Sequence, residues 1–245
     1  MSGHSKWATI KRKKGALDAK RGKMFTKLIK ELTIAAREGG GDPSSNPRLR
    51  LAVDNAKAAN MPADNIDRAI KKATGELEGV TYHELTYEGY GPAGIALLVE
   101  VATDNKNRIV AELRHLFTRY GGTMGETNSV AWMFHRKGII TLPKQGLPED
   151  DVMELILDAG AEDLQTEEEF YQVQTSLDSF EHVRKAILNK KLTIENASLH
   201  WIAENHVPVS GEGADRVMKL IEALEDNDDV QNVYSNAEID VSSLT

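Results

Sequence analysis

The sequence predicts an α+β fold: an N-terminal three-helix domain followed by two α+β domains, one ferredoxin-like and inserted into the other. Three observations carry this. The hydrophobic period changes from that of helices to that of strands after Gly79. Residues 136–205 read β-α-β-β-α-β, the split ferredoxin-like order. The segments on either side, ββαβ before and αβ after, can close around one sheet, which makes their domain discontinuous. The expected boundaries are therefore 1–78, then 79–135 with 206–245, and 136–205 as the insert.

The elements follow in order. The first 15 residues, MSGHSKWATIKRKKG, have no helical or strand period and read as an arm. From about Ala16 to Glu38 the residues Phe25, Leu28, Ile29, Leu32, Ala35 and Ala36 recur at helical spacing. Gly39-Gly40-Gly41-Asp42-Pro43 must stop that helix. Asn46-Pro47 supplies an N-cap and a first-turn proline for a second helix with Leu49, Ala52, Val53, Ala56 and Ala59 inward. Pro62 opens a third, with Ile66, Ala69, Ile70 and Ala73 inward and Gly75 at its end. Val80–Glu88 and Ile95–Ala102 read as a hairpin joined at Gly89–Gly94. A helix over 105–120 follows, then strands at 130–134 and 138–142 and a helix at 148–159. Strands at 161–165 and 170–175, a helix at 179–189 and a strand at 199–203 complete the insert. A helix at 213–225 and a strand at 230–236 close the chain.

Composition removes several function classes. There are no cysteines, so disulfides, thiol nucleophiles and thiolate metal sites are out. The longest clean apolar run is Ile95–Val99, whereas crossing a bilayer takes about 20 residues. No apolar segment with a cleavage site opens the chain, and the expectation is a cytoplasmic protein. Gly89-Tyr90-Gly91-Pro92-Ala93-Gly94 matches G-x-G-x-x-G, but a strand follows it rather than a helix, so it reads as a turn. The histidines at 4, 83, 115, 135, 182, 200 and 206 lack metal spacing, and His83-Glu84 is followed at 87 by Tyr. Ser2-Gly3-His4 reads as coincidence in an arm needed for phosphates. Residues 145–183 hold 12 carboxylates without Lys or Arg, a solvated acidic surface rather than an acid/base pair. No cofactor or metal is expected.

Charge is the informative quantity. Residues 1–72 hold 17 Lys and Arg against 7 Asp and Glu, which leaves 13 and 31 for the rest of the chain. A +10 segment is thus joined to a −18 one, and the net −8 hides it. Lys6, Trp7, Lys11, Arg12, Lys13, Lys14, Lys20, Arg21, Lys23, Lys27 and Lys30 fall within 25 residues against the single acid Asp18. Lysines there can neutralise phosphates, and Trp7 offers a stacking face or packs onto the bundle. Lys20, Lys23, Lys27 and Lys30 lie opposite the apolar stripe. The expectation is a solvent-facing stripe whose four lysines can be exchanged for Gln without loss of fold. A further expectation is that the acidic body competes with phosphates for this face.

The block GHSKWATIKRKKGALDAKRGKMFTKLIKELTIAAREGGGDPSSNPRLRLAVDNAKAANMPADNIDRAIKKATGE closely resembles the opening of the YebC/PmpR family. YEGYGPAG, TDNKNRIVAELRH and GGTMGETNSVAWMF resemble its middle blocks, so the likeness spans essentially the whole chain. Ala93 departs from it, since the family often carries glycine there. The resemblance implies three domains and a cytoplasmic, DNA-binding transcriptional regulator, and the lack of any nucleophile–base or metal constellation in the sequence adds the expectation that it is not an enzyme. A mitochondrial branch activates translation, so ribosomal RNA or the ribosome is the alternative partner. An enzyme with a site between the α+β domains is the second alternative. The α+β domains leave room for a protein partner, and no membrane partner is expected.

Overall fold

The computed structural model describes residues 17–144 and 146–239, with 17–21 as helix backbone. Three helices come first: α1 (Leu17–Gly39), α2 (Pro47–Ala58) and α3 (Ala63–Thr74). Leu32, Ala35 and Ala36 of α1 meet Leu49, Ala52 and Ala56 of α2 and Ile66, Ala69 and Ala73 of α3 in one buried cluster. Small residues at these positions let the helices approach closely. The bend between α1 and α2 is tied by one side chain. Asn46 caps α2 by accepting from the Leu49 N–H, while its amide donates to the carbonyls of Ala35 and Gly40. That amide occupies the space a Cβ on Gly39 would need, so glycine is required there.

The first sheet is ordered β3-β1-β2-β9, from β1 (His83–Tyr90), β2 (Ala96–Thr103), β3 (Thr123–Met124) and β9 (Val230–Ser235). Neighbours run antiparallel, with Tyr87 opposite Val99 and Val99 opposite Val233. The period of two in β2 explains its unbroken apolar run. Leu97, Val99 and Val101 face the helices α4 (Lys106–Arg119) and α7 (Gly211–Glu225). Ala96 and Leu98 face the other way, onto Val130, Phe134, Ala203 and Tyr234. The turn from β1 to β2 contains a short 3₁₀ segment, Pro92–Gly94, with Ala93 at φ 59°. This is a left-handed position that favours glycine, which gives the departure at Ala93 its physical meaning.

The second sheet comprises β4 (Phe134–Pro143), β5 (Asp163–Thr166), β6 (Phe170–Thr175) and β7 (Asn196–Ala203), ordered β5-β6-β4-β7 and antiparallel throughout. With α5 (Glu149–Asp158) and α6 (Leu177–Asn189) as crossovers, this is the ferredoxin-like arrangement. The strand expected at 130–134 is instead a 3₁₀ turn at Ala131–Met133, and the one expected at 138–142 begins earlier, at Phe134. Gly138 does not interrupt it. A Cβ there would strike Phe180 and Thr175, so glycine serves close packing and not a break. Three short strands carried too little pattern to be expected: β3, and the parallel pair β8 (Val207–Val209) and β10 (Ala237–Ile239).

The two sheets meet through a filled junction. Besides the apolar cluster around Leu98 and Phe134, the Glu100 carboxylate accepts from Trp201 Nε1, Asn232 Nδ2 and the Tyr234 hydroxyl at 2.9, 3.0 and 3.0 Å. Burial, and then the neighbouring Glu100, push the Tyr234 hydroxyl well above its ordinary pKa.

Candidate nucleic-acid interface

The helical unit is docked on both sheets, largely through its polar and charged residues. On the second sheet, the Asn55 side chain donates to the Ala197 carbonyl and accepts from its N–H, imitating a strand along the edge of β7. Beside it, the buried Arg184 binds Asp54 at 2.8 Å and Glu181 at 2.9 Å. On the first sheet, Arg48 gathers Glu31 and Glu38 from α1 and Glu84 from β1.

The stripe on α1 is the main correction. Lys23, Lys27 and Lys30 do face away from the bundle core, but the first sheet's body covers that side. Lys30 is 5% exposed. Its ammonium donates to the carbonyls of Ala102 and Asp228 at 3.0 and 2.8 Å and to Asp229 Oδ1 at 2.6 Å, which uses all three donors. Tyr82 lies with its ring centroid 5.2 Å from the same nitrogen. Lys27 reaches the carbonyls of Glu225 and Gln231, and the more exposed Lys23 binds the carbonyl and carboxylate of Asp226. Acceptors exist there because α7 ends at Glu225 and releases its last carbonyls into the 226–229 loop, which the dipole also makes negative.

Asp229 is the centre of this contact. It takes Lys30 on one oxygen, and Arg108 and Thr103 on the other, each at 2.7 Å. Burial alone would raise its pKa, but the bonds from Lys30, Arg108 and Thr103 win and hold it below the ordinary 3.8.

The expected contact residues therefore divide. Lys6, Trp7, Lys11, Arg12, Lys13 and Lys14 lie outside the described residues, and the side chains of Lys20 and Arg21 do too. Lys23, Lys27 and Lys30 are engaged within the chain. Five cations that sequence reasoning passed over are exposed, with no ion pair or hydrogen bond on their side chains among the described residues: Arg37, Lys57, Arg68, Lys71 and Lys72. Arg68, Lys71 and Lys72 share the outer face of α3 with Asp64 and Asp67, and this mixture of signs concealed them. Arg37 also lines a cleft of about 290 Å³ between α1 and the start of β1, with Tyr82, His83 and Lys106.

This arrangement has solved and curated counterparts. A conserved hypothetical protein of Aquifex aeolicus, known from its crystal structure, superposes with a TM-score of 0.86 at 45% identity, over 91% of this chain and 92% of that one. The three-part α+β architecture is thus an established class. The family profile described as "TACO1/YebC protein N-terminal domain" matches residues 5–76, and "TACO1/YebC second and third domain" matches 82–237. The chain belongs to the TACO1/YebC family. Relatives in Chlorobaculum parvum and Chlorobaculum tepidum are 59% and 57% identical over all of this chain and 98% of their own length. Both bear the name "Probable transcriptional regulatory protein". No helix among the described residues is long and apolar enough to cross a membrane.

Proposed function

We propose that this protein is a non-enzymatic transcriptional regulator that binds DNA through its N-terminal segment. One observation carries the reading. Of the 17 cations in residues 1–72, five are engaged inside the fold (Lys23, Lys27, Lys30, Arg48 and Arg50), yet five others stand exposed and unpaired among the described residues. The remaining seven belong to the arm and the first turn of α1. A surface with surplus cations in a chain of net charge −8 is suited to phosphate, and the arm residues Lys6, Lys11, Arg12, Lys13 and Lys14 supply most of the grip. The three-domain division at 1–78, 79–135 with 206–245, and 136–205 assigns grip to the first unit and partner contacts to the other two.

Affinity for duplex DNA should fall by roughly 10³ or more between 50 and 200 mM salt if six or more cations sit on phosphates. Changing Lys11, Arg12, Lys13 and Lys14 together to Gln should lower the log–log salt slope by roughly four. A flat salt response would remove the reading. Crosslinking in growing cells decides the nucleic acid: promoter DNA supports the proposal, and ribosomal RNA transfers the same grip to translation.

A further inference from the structure

Two aromatic side chains outside every apolar cluster stand on the surface. Trp132 is 64% exposed and Tyr90 40%. Neither is loose. Trp132 Nε1 donates to the Ser129 carbonyl at 3.2 Å, and the Tyr90 hydroxyl donates to the same oxygen at 3.0 Å. The backbone that carries Ser129 is itself held from below. Glu88, 6% exposed, accepts from the N–H groups of Asn128, Val130 and Ala131 at 2.6, 2.7 and 2.8 Å, and the Gly125 N–H donates to its carbonyl. No cation pairs with that carboxylate among the described residues. Burying a carboxylate without a counter-ion is costly, and three amide bonds offset the cost only while the loop keeps one shape.

Val130 and Ala131 pack into the junction between the sheets, which explains part of this construction. It does not explain why two rings converge on one outward carbonyl. The ground beside them is kept low: a Cβ on Gly122 would lie 2.6 Å from the Tyr90 carbonyl. Arg119 and Glu126 are the only charged residues between 119 and 132, and the Glu88 carboxylate lies buried beneath the loop. Arg119, whose guanidinium lies 5.8 Å from the centroid of the Tyr120 ring, has no acidic partner among the described residues, and it ends α4 just before β3, whose Thr123 pairs with Tyr90. Flat π-faces on a polar-rimmed patch, with the exposed Arg119 on the neighbouring helix end, suit a nucleobase and its phosphate better than an apolar protein segment.

We propose that Tyr90 and Trp132 form a stacking shelf for unpaired bases of a single-stranded nucleic acid, separate from the basic arm. The proposal rests on the nucleic-acid reading and adds a preference to it. Bases in a duplex are already stacked on one another, so the shelf selects opened strands. Stacking releases few counterions, so the shelf's contribution is nearly independent of salt, unlike that of the arm.

The test uses the full chain with a fluorescein-labelled single strand of about a dozen bases and its duplex, a length within the usual reach of such sites. Trp132→Ala should weaken single-strand binding about tenfold, equally at low and high salt, and leave duplex binding within about twofold. Trp132→Phe should keep most of the affinity, because a face remains. Thermal unfolding should be unchanged, since the ring is exposed. Unaltered single-strand affinity in the Trp132→Ala, Tyr90→Ala double variant overturns the shelf, and means the patch serves a protein instead. An equal loss on duplex and single strand overturns it as well. Wild-type protein that binds neither nucleic acid overturns the nucleic-acid reading and the shelf together, whereas binding that ignores Trp132 overturns the shelf alone.

Discussion

The outer faces of α1 and α3 look alike on a helical wheel, and the molecule uses them in opposite ways. Both place three cations opposite an apolar stripe. On α1 these cations are Lys23, Lys27 and Lys30, and they meet carbonyls and carboxylates of residues 225–231. On α3 they are Arg68, Lys71 and Lys72, and nothing among the described residues meets them. The cleaner basic stripe is the internal one. An acid-free row of lysines marks a face whose counter-charges lie elsewhere, and on α1 they lie about 200 residues away in the same chain.

The sharpest way to break this comparison is Lys30→Ala. It leaves Asp229 buried with one cation fewer and should destabilise the fold by about 3–5 kcal/mol in chemical denaturation, as should Asp229→Ala. A loss below 1 kcal/mol would return Lys30 to the solvent. Changing Arg68, Lys71 and Lys72 together to Gln should do the reverse, leaving the melting temperature alone and lowering the salt slope for DNA by up to roughly three. An unchanged slope would show that the arm alone does the binding. Acid should separate the two faces as well. Asp229 has a folded pKa below 3.8, so its contribution is fully present above that value and is lost as pH falls through the lowered one. Docking of α1, followed by hydrogen exchange at Lys30, should therefore persist at about pH 4 and be lost only at lower pH, below the ordinary carboxylate range. The smallest effect belongs to Asp226→Asn. Its pair with Lys23 is 74% and 42% exposed on the two sides, so stability should change by less than about 1 kcal/mol.

Much of the fold was legible because its signals are local. The Asn46-Pro47 start of α2, the Gly75 stop of α3 and the β-α-β-β-α-β order each depend on residues close in sequence. What escaped was long-range or very short. Thr123–Met124 forms a strand only because Tyr90 is its partner, and Val207–Val209 only because Ala237–Ile239 lies alongside. The candidate site suffered more. Periodicity reported correctly that Lys30 faces away from Leu32, but it holds no information about Asp229. Glu88 looked like one more acid in a strand, and only the position of residues 125–131 turns it into the anchor of a loop.

The placement of Asp229 also sets a schedule. Lys30 is 199 residues upstream of its carboxylate, and β9, which completes the first sheet, begins at Val230. A ribosome adding about 5–20 residues per second needs roughly 10–40 s to cover that distance. Throughout this interval the newborn helical bundle carries Lys23, Lys27 and Lys30 uncovered, beside a translating ribosome coated in RNA. Only when the last quarter of the chain emerges does the bundle find its seat, so docking is the closing event of synthesis.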